Sequence, residues 1–171
     1  AAVTLNQCQH ILHQVFPDFA NLLERFASLQ VRNQGTLAGN IANASPIGDT
    51  PPALIALNAH MILRSASVQR SEKVEDFFVD YRKTTLAKSE FIEKIVIPIP
   101  PQDFHFKIYK VSKRLDDDIS AICVANYLCL DAKNRVTQIR LAYGGMAAIA
   151  KSATQTEAAL LGKAWNEATI E

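Results

Sequence analysis

The sequence lacks the features that mark several common classes of protein. Its 18 lysines and arginines nearly balance its 17 aspartates and glutamates, which leaves a formal net charge of +1 over 171 residues. This balance does not predict binding to nucleic acid or to an anionic membrane surface. No apolar run approaches the ~18 residues of a transmembrane helix, and the opening AAVTLNQCQH has no basic segment followed by an apolar one. We therefore predict a cytoplasmic protein with neither a membrane nor a nucleic-acid partner.

Cysteine and histidine are also sparse, and their spacing does not predict a metal site. Cys8, Cys123 and Cys129 include no CxxC pair, so zinc ribbons and most iron–sulfur sites are excluded. We predict three reduced core cysteines, as is typical of a cytoplasmic protein. His10 and His13 could share a helix face, but no third ligand is suggested. HExxH and GxSxG motifs are absent as well, so no catalytic residue of a zinc or serine hydrolase is predicted.

Apolar residues recur at helical spacing near the start of the chain. Thr4 and Gln7 have the spacing of a capping box for a first helix. Pro17 interrupts the pattern, and Asp18 is placed to cap a second helix. The sequence therefore predicts two helices before the first glycine.

Two more helices are predicted further along the chain. A short apolar helix is expected over residues 52–58. The last is expected over 156–168, with Leu160, Leu161 and Trp165 on its buried side.

Six segments are predicted as strands, and three prolines separate the first three from the last three. AICVANYLCL is apolar on both faces and is expected to be a central strand. Pro98, Pro100 and Pro101 follow FIEKIVI and predict a domain boundary, with domains at 1–100 and 101–171. The six segments are MILRS, SVQRSEKV, FIEKIVI, FHFKIYKV, AICVANYLCL and VTQIRLAY.

Three of the six glycines fall in one segment rich in Asn, Ser and Thr, QGTLAGNIANASPIGDTPP. Two interpretations remain open. The segment is an irregular surface loop whose glycines adopt positive φ, or it is an anion cradle. In the cradle, backbone N–H groups approach a pyrophosphate while Thr36, Asn40 and Ser45 donate hydrogen bonds. The segment matches neither the Walker loop nor the GxGxxG fingerprint.

Four motifs in a fixed order give the chain a family resemblance. They are QVRNQGTLAGNIANASPIGDTPPAL, FFVDYRKTTL, KVSKRLDDDIS and YGGM. Together they resemble the flavin domain of xanthine dehydrogenases, which is shared with the flavoprotein subunits of carbon monoxide dehydrogenase and related molybdenum hydroxylases. The resemblance implies an α+β fold. Residues 1–100 would be the second half of a two-part FAD-binding α+β domain, and 101–171 a small domain of antiparallel sheet plus helices.

The resemblance also implies which residues bind FAD. The glycine-rich segment would be the second of two loops around the FAD diphosphate, and Asp49 resembles an acidic residue that binds a cofactor hydroxyl. Phe26 and Ile92 take the places of an aromatic and an apolar contact, although core packing alone would also explain both. The implied diphosphate contacts are Thr36, Leu37, Ala38, Gly39 and Asn40.

Lys110 continues the apolar face that Phe104, Phe106 and Ile108 form on one predicted strand. A lysine in this place usually snorkels to solvent at the strand tip. The resemblance instead implies a lysine beside the flavin, where its charge would stabilise negative charge on the reduced ring. Both interpretations remain open.

Three further residues resemble the family's acceptor side. Arg114 and Asp117, in the charged run KRLDDD, resemble a mobile loop near the flavin face where NAD docks. Tyr81, in YRKT, resembles a residue close to the nicotinamide. From the residues alone, the run is a solvated turn and Tyr81 covers a hydrophobic edge.

The chemistry implied by the resemblance is electron relay, with no catalytic acid or base from this chain. Molybdopterin and 2Fe-2S clusters in other domains or subunits would supply electrons, and FAD would pass them to NAD or oxygen. The partners would be the molybdopterin-binding and iron–sulfur components of a larger oligomer. The alternative is a non-catalytic assembly module that keeps the fold without binding flavin.

One part of the family pattern has no counterpart. No glycine precedes Gly35, so the family's first diphosphate loop is absent from the sequence. We therefore predict that these 171 residues, taken alone, bind FAD weakly or not at all and are inactive.

Overall fold

Helices and antiparallel strands make up the structure, a computed structural model that describes residues 2–100 and 103–170. The helices are α1 (Leu5–Leu12), α2 (Pro17–Glu24), α3 (Leu29–Gln34), α4 (Leu37–Ala42), α5 (Thr50–Ala56), α6 (Val74–Phe77), α7 (Thr154–Leu160) and α8 (Glu167–Ile170). The strands are β1 (His60–Arg64), β2 (Gln69–Lys73), β3 (Phe78–Asp80), β4 (Lys83–Thr84), β5 (Phe91–Val96), β6 (Phe104–Val111), β7 (Ile122–Leu130), β8 (Val136–Gly144) and β9 (Lys151–Ser152). The predicted α+β class is confirmed.

The strands form three antiparallel sheets. The first has the order β2-β1-β5, and β3 and β4 form a separate hairpin. The third has the order β6-β7-β8-β9. The apolar segment AICVANYLCL becomes β7, with a hydrogen-bonded neighbour on each side, so the prediction of a central strand is confirmed.

Helix α5 lies at the centre of the hydrophobic core. All seven of its residues, TPPALIA, are buried, and the helix packs against β7, β8 and β9 as well as α4 and α6. A helix buried on every side has no face suited to solvent, and its one polar side chain, Thr50, donates its hydroxyl to Asn40. One continuous core therefore includes Phe19 and Leu23 of α2, Met61 of β1, and Cys123 and Ala125 of β7.

Two helix predictions need correction. Asp18 does not cap α2, because Pro17 takes the first helical position and Phe16 becomes the N-cap residue. The single last helix is replaced by α7 and α8, since Gly162 adopts φ +77° after α7. The segment beyond it instead pairs with the start of β8, where the Val136 N–H donates to the Lys163 carbonyl and the Gly162 N–H donates to the Val136 carbonyl.

The burial predicted for that last helix is therefore correct only in part. Leu160 and Trp165 pack against the outer face of the third sheet. Leu161, however, is 54% exposed. The glycine-rich segment also differs from an irregular loop, because it contains α4 and the first residues of α5, with Thr36 capping α4 by accepting from the Gly39 N–H.

The described residues add three observations on composition. None of their helices is long and apolar enough to span a bilayer. Cys8, Cys123 and Cys129 are buried and free of disulfide bonds, as predicted. Among the residues described, no group of three or more His, Cys, Asp or Glu side chains is placed to hold a metal ion.

The predicted capping box at α1 is confirmed. The Gln7 N–H donates to Thr4 Oγ1 at 3.2 Å, and the Thr4 N–H donates to Gln7 Oε1 at 2.9 Å. We expect Thr4→Ala to lower the free energy of unfolding by about 1 kcal/mol, measured by chemical denaturation. Thr154→Ala is the matched control, because α7 has no side-chain capping bond at its start. Equal losses in both variants would contradict a capping role for Thr4.

Candidate functional site

A cleft of about 400 Å³ lies where the end of α2, the end of α4, the turn between β3 and β4, and the β6–β7 loop (residues 112–121) meet. It therefore joins segments from both predicted domains. Its lining residues are Phe26, Ala27, Asn40, Asn43, Ser45, Ile47, Gly48, Asp49, Arg82, Lys110, Asp117, Asp118, Ile119 and Ser120.

The floor of the cleft consists of Asp49, Lys110 and Ser120. Lys110 Nζ lies 2.7 Å from Asp49 Oδ2, and the two side chains are only 2% and 7% exposed. Nζ also donates to the Arg25 carbonyl at 3.2 Å, and Ser120 Oγ donates to Asp49 Oδ1. The interpretation of Lys110 as a snorkelling residue is therefore wrong, because a buried carboxylate beside β6 gives the ammonium a partner inside the protein.

Asp49 immediately precedes α5, yet its side chain makes no hydrogen bond to the start of that helix. Its backbone carbonyl accepts from the Cys123 thiol at 3.6 Å. Burial raises the pKa of Cys123 to about 12, and the Asp49 carboxylate adds to this rise while Lys110 opposes it. Cys123 is thus a neutral thiol at pH 7, where it packs beneath the floor rather than acting as a nucleophile.

The walls of the cleft are partly aromatic and partly polar. Phe26 is half-buried and packs against the core. Asn40 Oδ1 accepts from the Thr50 hydroxyl at 2.5 Å, while its amide NH₂ donates to no residue that the structure describes. Arg82 has φ +52° and places its guanidinium 5.9 Å from the centre of the Tyr81 ring. These groups leave several hydrogen-bond donors available within the cleft.

Arg25 joins the end of α2 to the β6–β7 loop. Its guanidinium donates to the Lys110 carbonyl at 3.1 Å, to the Leu115 carbonyl at 3.2 Å and to Ser112 Oγ at 3.4 Å. Because Lys110 Nζ donates in return to the Arg25 carbonyl, the two residues connect their segments in both directions. This contact lies directly beside Phe26.

The β6–β7 loop is also organised internally. Asp118 accepts from the backbone N–H groups of Arg114 and Ile119, at 2.8 and 2.9 Å, and lies 3.4 Å from the Arg114 guanidinium. These contacts, the Arg114 N–H first among them, hold the pKa of Asp118 below its usual range. The neighbouring Asp117 adopts φ +49°. The run KRLDDD therefore forms a hydrogen-bonded turn at the edge of the cleft.

Six of the site residues named from the sequence share this cleft. They are Phe26, Asn40, Ser45, Asp49, Lys110 and Asp117. These residues belong to segments far apart along the chain, so the fold brings together residues that were predicted from separate motifs.

Four of the five predicted diphosphate contacts lie outside the lining of the cleft. Leu37 and Ala38 point their buried side chains into a separate apolar groove of about 200 Å³ beside α1 and β5. Thr36 and Gly39 bond to each other at the start of α4. Because the Thr36 hydroxyl accepts here, this bond stabilises the helix and does not itself indicate a ligand.

The remaining three predicted residues are also outside the lining. Ile92 is 4% exposed and pairs with Leu63 between β5 and β1, so it packs in the core. Tyr81 is 57% exposed in the turn between β3 and β4. The Arg114 side chain is 76% exposed.

Sequence reasoning did not identify three residues of the site. Ser120 completes the floor, Arg25 anchors the β6–β7 loop, and Arg82 lines the cleft. The first two act through partners 71 and up to 90 residues away along the chain, so no local pattern predicts these contacts, although Ser120 ends the KVSKRLDDDIS motif. Arg82 had a signal, since it directly follows Tyr81 in the YRKT motif.

Comparisons with known proteins identify relatives of similar sequence. A xanthine dehydrogenase from Blastobotrys adeninivorans is 38% identical over 167 residues, covering 91% of this chain. A nicotinate hydroxylase from Emericella nidulans is 37% identical over 161 residues, again covering 91% of this chain. In each case the matched region is 12% of the relative's length, so the chain spans a small part of these proteins.

A solved structure shows the same fold. The carbon monoxide dehydrogenase from Hydrogenophaga pseudoflava that lacks the Mo-pyranopterin moiety of the molybdenum cofactor matches with a TM-score of 0.91 and 28% identity. The match covers 98% of this chain and 58% of the solved one.

Two family descriptions match in succession along the sequence. Residues 107–171 match the C-terminal domain of the CO dehydrogenase flavoprotein. Residues 1–100 match the FAD binding domain in molybdopterin dehydrogenase. The second match covers more than half of the chain, which therefore belongs to the family of FAD-binding domains of molybdopterin dehydrogenases.

Proposed function

We propose that the cleft above Asp49, Lys110 and Ser120 binds FAD, in an electron-relay domain of a molybdenum hydroxylase of the xanthine dehydrogenase type. The observation that carries this proposal is the buried ion pair between Asp49 and Lys110 in the lining of a polar cleft. Burying two charges is costly, and such a pair in a cleft is more typical of a ligand site than of a plain structural core.

The hydrogen-bonding capacity of the cleft supports this proposal. Each oxygen of Asp49 accepts one hydrogen bond and can accept another, for example from a cofactor hydroxyl. Lys110 uses two of its three N–H groups, which leaves one for a ligand. The Asn40 amide and Arg82 add donors suited to phosphate oxygens, and Phe26 adds an aromatic surface for a flat ring. The residues present therefore fit FAD.

The charges in the cleft define the part played by Lys110. Because Asp49 neutralises it at 2.7 Å, Lys110 would act on the cofactor mainly through its remaining N–H and not as a free cation. When bound, FAD supplies the exchange between single electrons and hydride that an electron relay needs. The chain's own residues would bind it, orient it and exclude water from one side of it.

The remaining parts of the proposal concern the whole protein. We infer molybdopterin and iron–sulfur clusters in other domains or subunits, NAD or oxygen as the electron acceptor, and assembly into a larger oligomer. The similarity to xanthine dehydrogenase and to carbon monoxide dehydrogenase supports these inferences. Tyr81, Arg114 and Asp117 are the proposed residues of the acceptor side. The free cysteines support a cytoplasmic location.

We also propose that the chain divides near residue 100, into a FAD-binding part at 1–100 and a second part at 101–171. The two successive family matches support this division. The proposed FAD cleft would then lie between the parts, because Asp49 comes from the first part and Lys110 from the second.

The test is Asn40→Asp in the intact protein. Aspartate preserves the oxygen that accepts from Thr50 but replaces the NH₂ donor with negative charge, which repels a diphosphate. We expect the dissociation constant for FAD to rise by about 10-fold or more, measured by flavin fluorescence. Asn21→Asp is the matched control, since Asn21 lies on α2 outside the cleft.

Two results would contradict the proposal. Equal FAD affinities in the two variants would place the cofactor outside this cleft. Failure of the unsubstituted intact protein to bind FAD would favour the assembly-module alternative.

A further inference from the structure

Ser120 is a buried polar residue with a specific partner in the floor of the cleft. Ser120 is only 3% exposed, and its Oγ donates to Asp49 Oδ1. Lys110 occupies the other carboxylate oxygen, Oδ2, at 2.7 Å. The Asp49 carboxylate is therefore held from two sides by donors that belong to the second half of the chain.

These two donors determine the orientation of the carboxylate. Asp49 makes no side-chain hydrogen bond to the α5 helix that it precedes, so its own segment does not fix the group. A carboxylate held through one oxygen alone can rotate about the bond to its Cβ. With a donor on each oxygen, the plane of the group is fixed, and so are the lone pairs left for a ligand.

Ser120 also connects the floor to the β6–β7 loop. The Ala121 N–H donates to the Val111 carbonyl at 2.8 Å and closes the base of this loop. Within the loop, Asp117, Asp118 and Ile119 line the cleft immediately before Ser120. Asp118 accepts hydrogen bonds from the backbone of the loop. Ser120, by contrast, donates to Asp49 and so links the loop to the floor of the cleft.

We propose that Ser120 is a positioning residue for the flavin. It orients the Asp49 carboxylate toward the cofactor, and through Asp49 it couples occupation of the cleft to the order of the β6–β7 loop. The inference rests on the proposed function, in which the cleft binds FAD. It adds that ligand binding and loop order share one hydrogen bond, so each stabilises the other.

The experiment compares Ser120→Ala with the unsubstituted intact protein in two measurements. The first is the dissociation constant for FAD by fluorescence, which we expect to rise roughly 10-fold because a bond to a charged group is lost. The second is amide hydrogen exchange of peptides covering residues 112–119, with and without FAD. FAD is expected to slow this exchange in the unsubstituted protein and to slow it much less in Ser120→Ala.

Two further variants make the result specific. Ser71→Ala is the matched control, because Ser71 is exposed on β2 away from the cleft; it should behave as the unsubstituted protein in both measurements. Ser120→Cys keeps the size of the side chain but is a weaker donor, so its FAD affinity should lie between those of serine and alanine. A graded loss of this kind would not follow from a merely structural role.

The outcomes separate this inference from the function on which it rests. If Ser120→Ala and Ser71→Ala bind FAD equally and show equal protection of the loop, the positioning role is overturned and the proposed function stands. If the unsubstituted protein does not bind FAD, both are overturned. Should Ser120→Ala fail to fold, Ser120→Cys decides: an affinity equal to that of the unsubstituted protein overturns the role, and a reduced affinity supports it.

Discussion

Replacing Lys110 with methionine is expected to lower the free energy of unfolding by about 3–5 kcal/mol. Methionine keeps much of the apolar stem, but it leaves the Asp49 carboxylate buried at 7% exposure without its cation. The Arg25 carbonyl loses a donor as well. An uncompensated buried charge is among the most destabilising changes a substitution can make. Chemical denaturation at pH 7, followed by circular dichroism, measures the loss.

Lys107 offers a matched control on the same strand. Its Nζ lies 3.0 Å from Asp18, but its side chain is 64% exposed, so water competes for both partners. We expect Lys107→Met to cost less than about 1 kcal/mol. Similar losses in the two variants would contradict the burial of the Lys110 pair.

A double variant separates the pair from its surroundings. Asp49→Asn combined with Lys110→Met removes both charges, so we expect it to be less destabilised than the sum of the two single variants. The coupling free energy from this cycle measures the interaction of Asp49 with Lys110 directly. Additive losses would mean that the two side chains do not interact.

Replacing Gly145 with alanine is expected to cost about 2–4 kcal/mol in the free energy of unfolding. Gly145 follows β8 with φ +89°, a conformation that side chains disfavour. A Cβ there would clash with the backbone carbonyl oxygen of Ala121. Because Ala121 follows Ser120 directly, the required shift would reach the floor of the cleft. Thermal and chemical unfolding both report the change.

Gly162 separates the two causes of this loss. It has a similar φ of +77°, yet a Cβ there would meet no atom of the described residues within 4 Å beyond its own chain neighbours. Gly162→Ala should therefore cost only about 1 kcal/mol, from the backbone conformation alone. The difference between the two variants measures the close approach to Ala121. Equal losses of unfolding free energy in the two variants would show that the backbone shifts away from the new Cβ at no energetic cost.

Hydrophobic patterns within short segments correctly predicted those elements whose apolar residues alone indicate which faces are buried. Every predicted strand exists, and β7 is central because ICVANYLCL is apolar on both of its faces. The Thr4 capping box is likewise a contact between near neighbours. In the last helix the same reasoning failed, because Gly162 and the hydrogen bonds between Lys163 and Val136 compete with helix continuation. Such pairing depends on the position of β8, which cannot be read from helical periodicity in the sequence.

The candidate site shows the same limit more clearly. The motifs named Asp49 and Lys110 separately, but their pairing across 61 residues of sequence is a property of the fold. The choice between a snorkelling Lys110 and a buried one depended on that partner. Ser120 had only a weak signal, since it ends the KVSKRLDDDIS motif, and its bond to Asp49 is visible only in the fold.

The position of α5 has a consequence for how the chain folds. This helix comes from the first 100 residues, yet it packs against β7, β8 and β9 of the second part. Neither part can complete its core without the other, so we expect one cooperative unfolding transition and not two. The contacts that close this core join distant segments, which makes folding slow for a chain of this length. A cut at the prolines near residue 100 would therefore expose core on both sides instead of releasing two stable pieces.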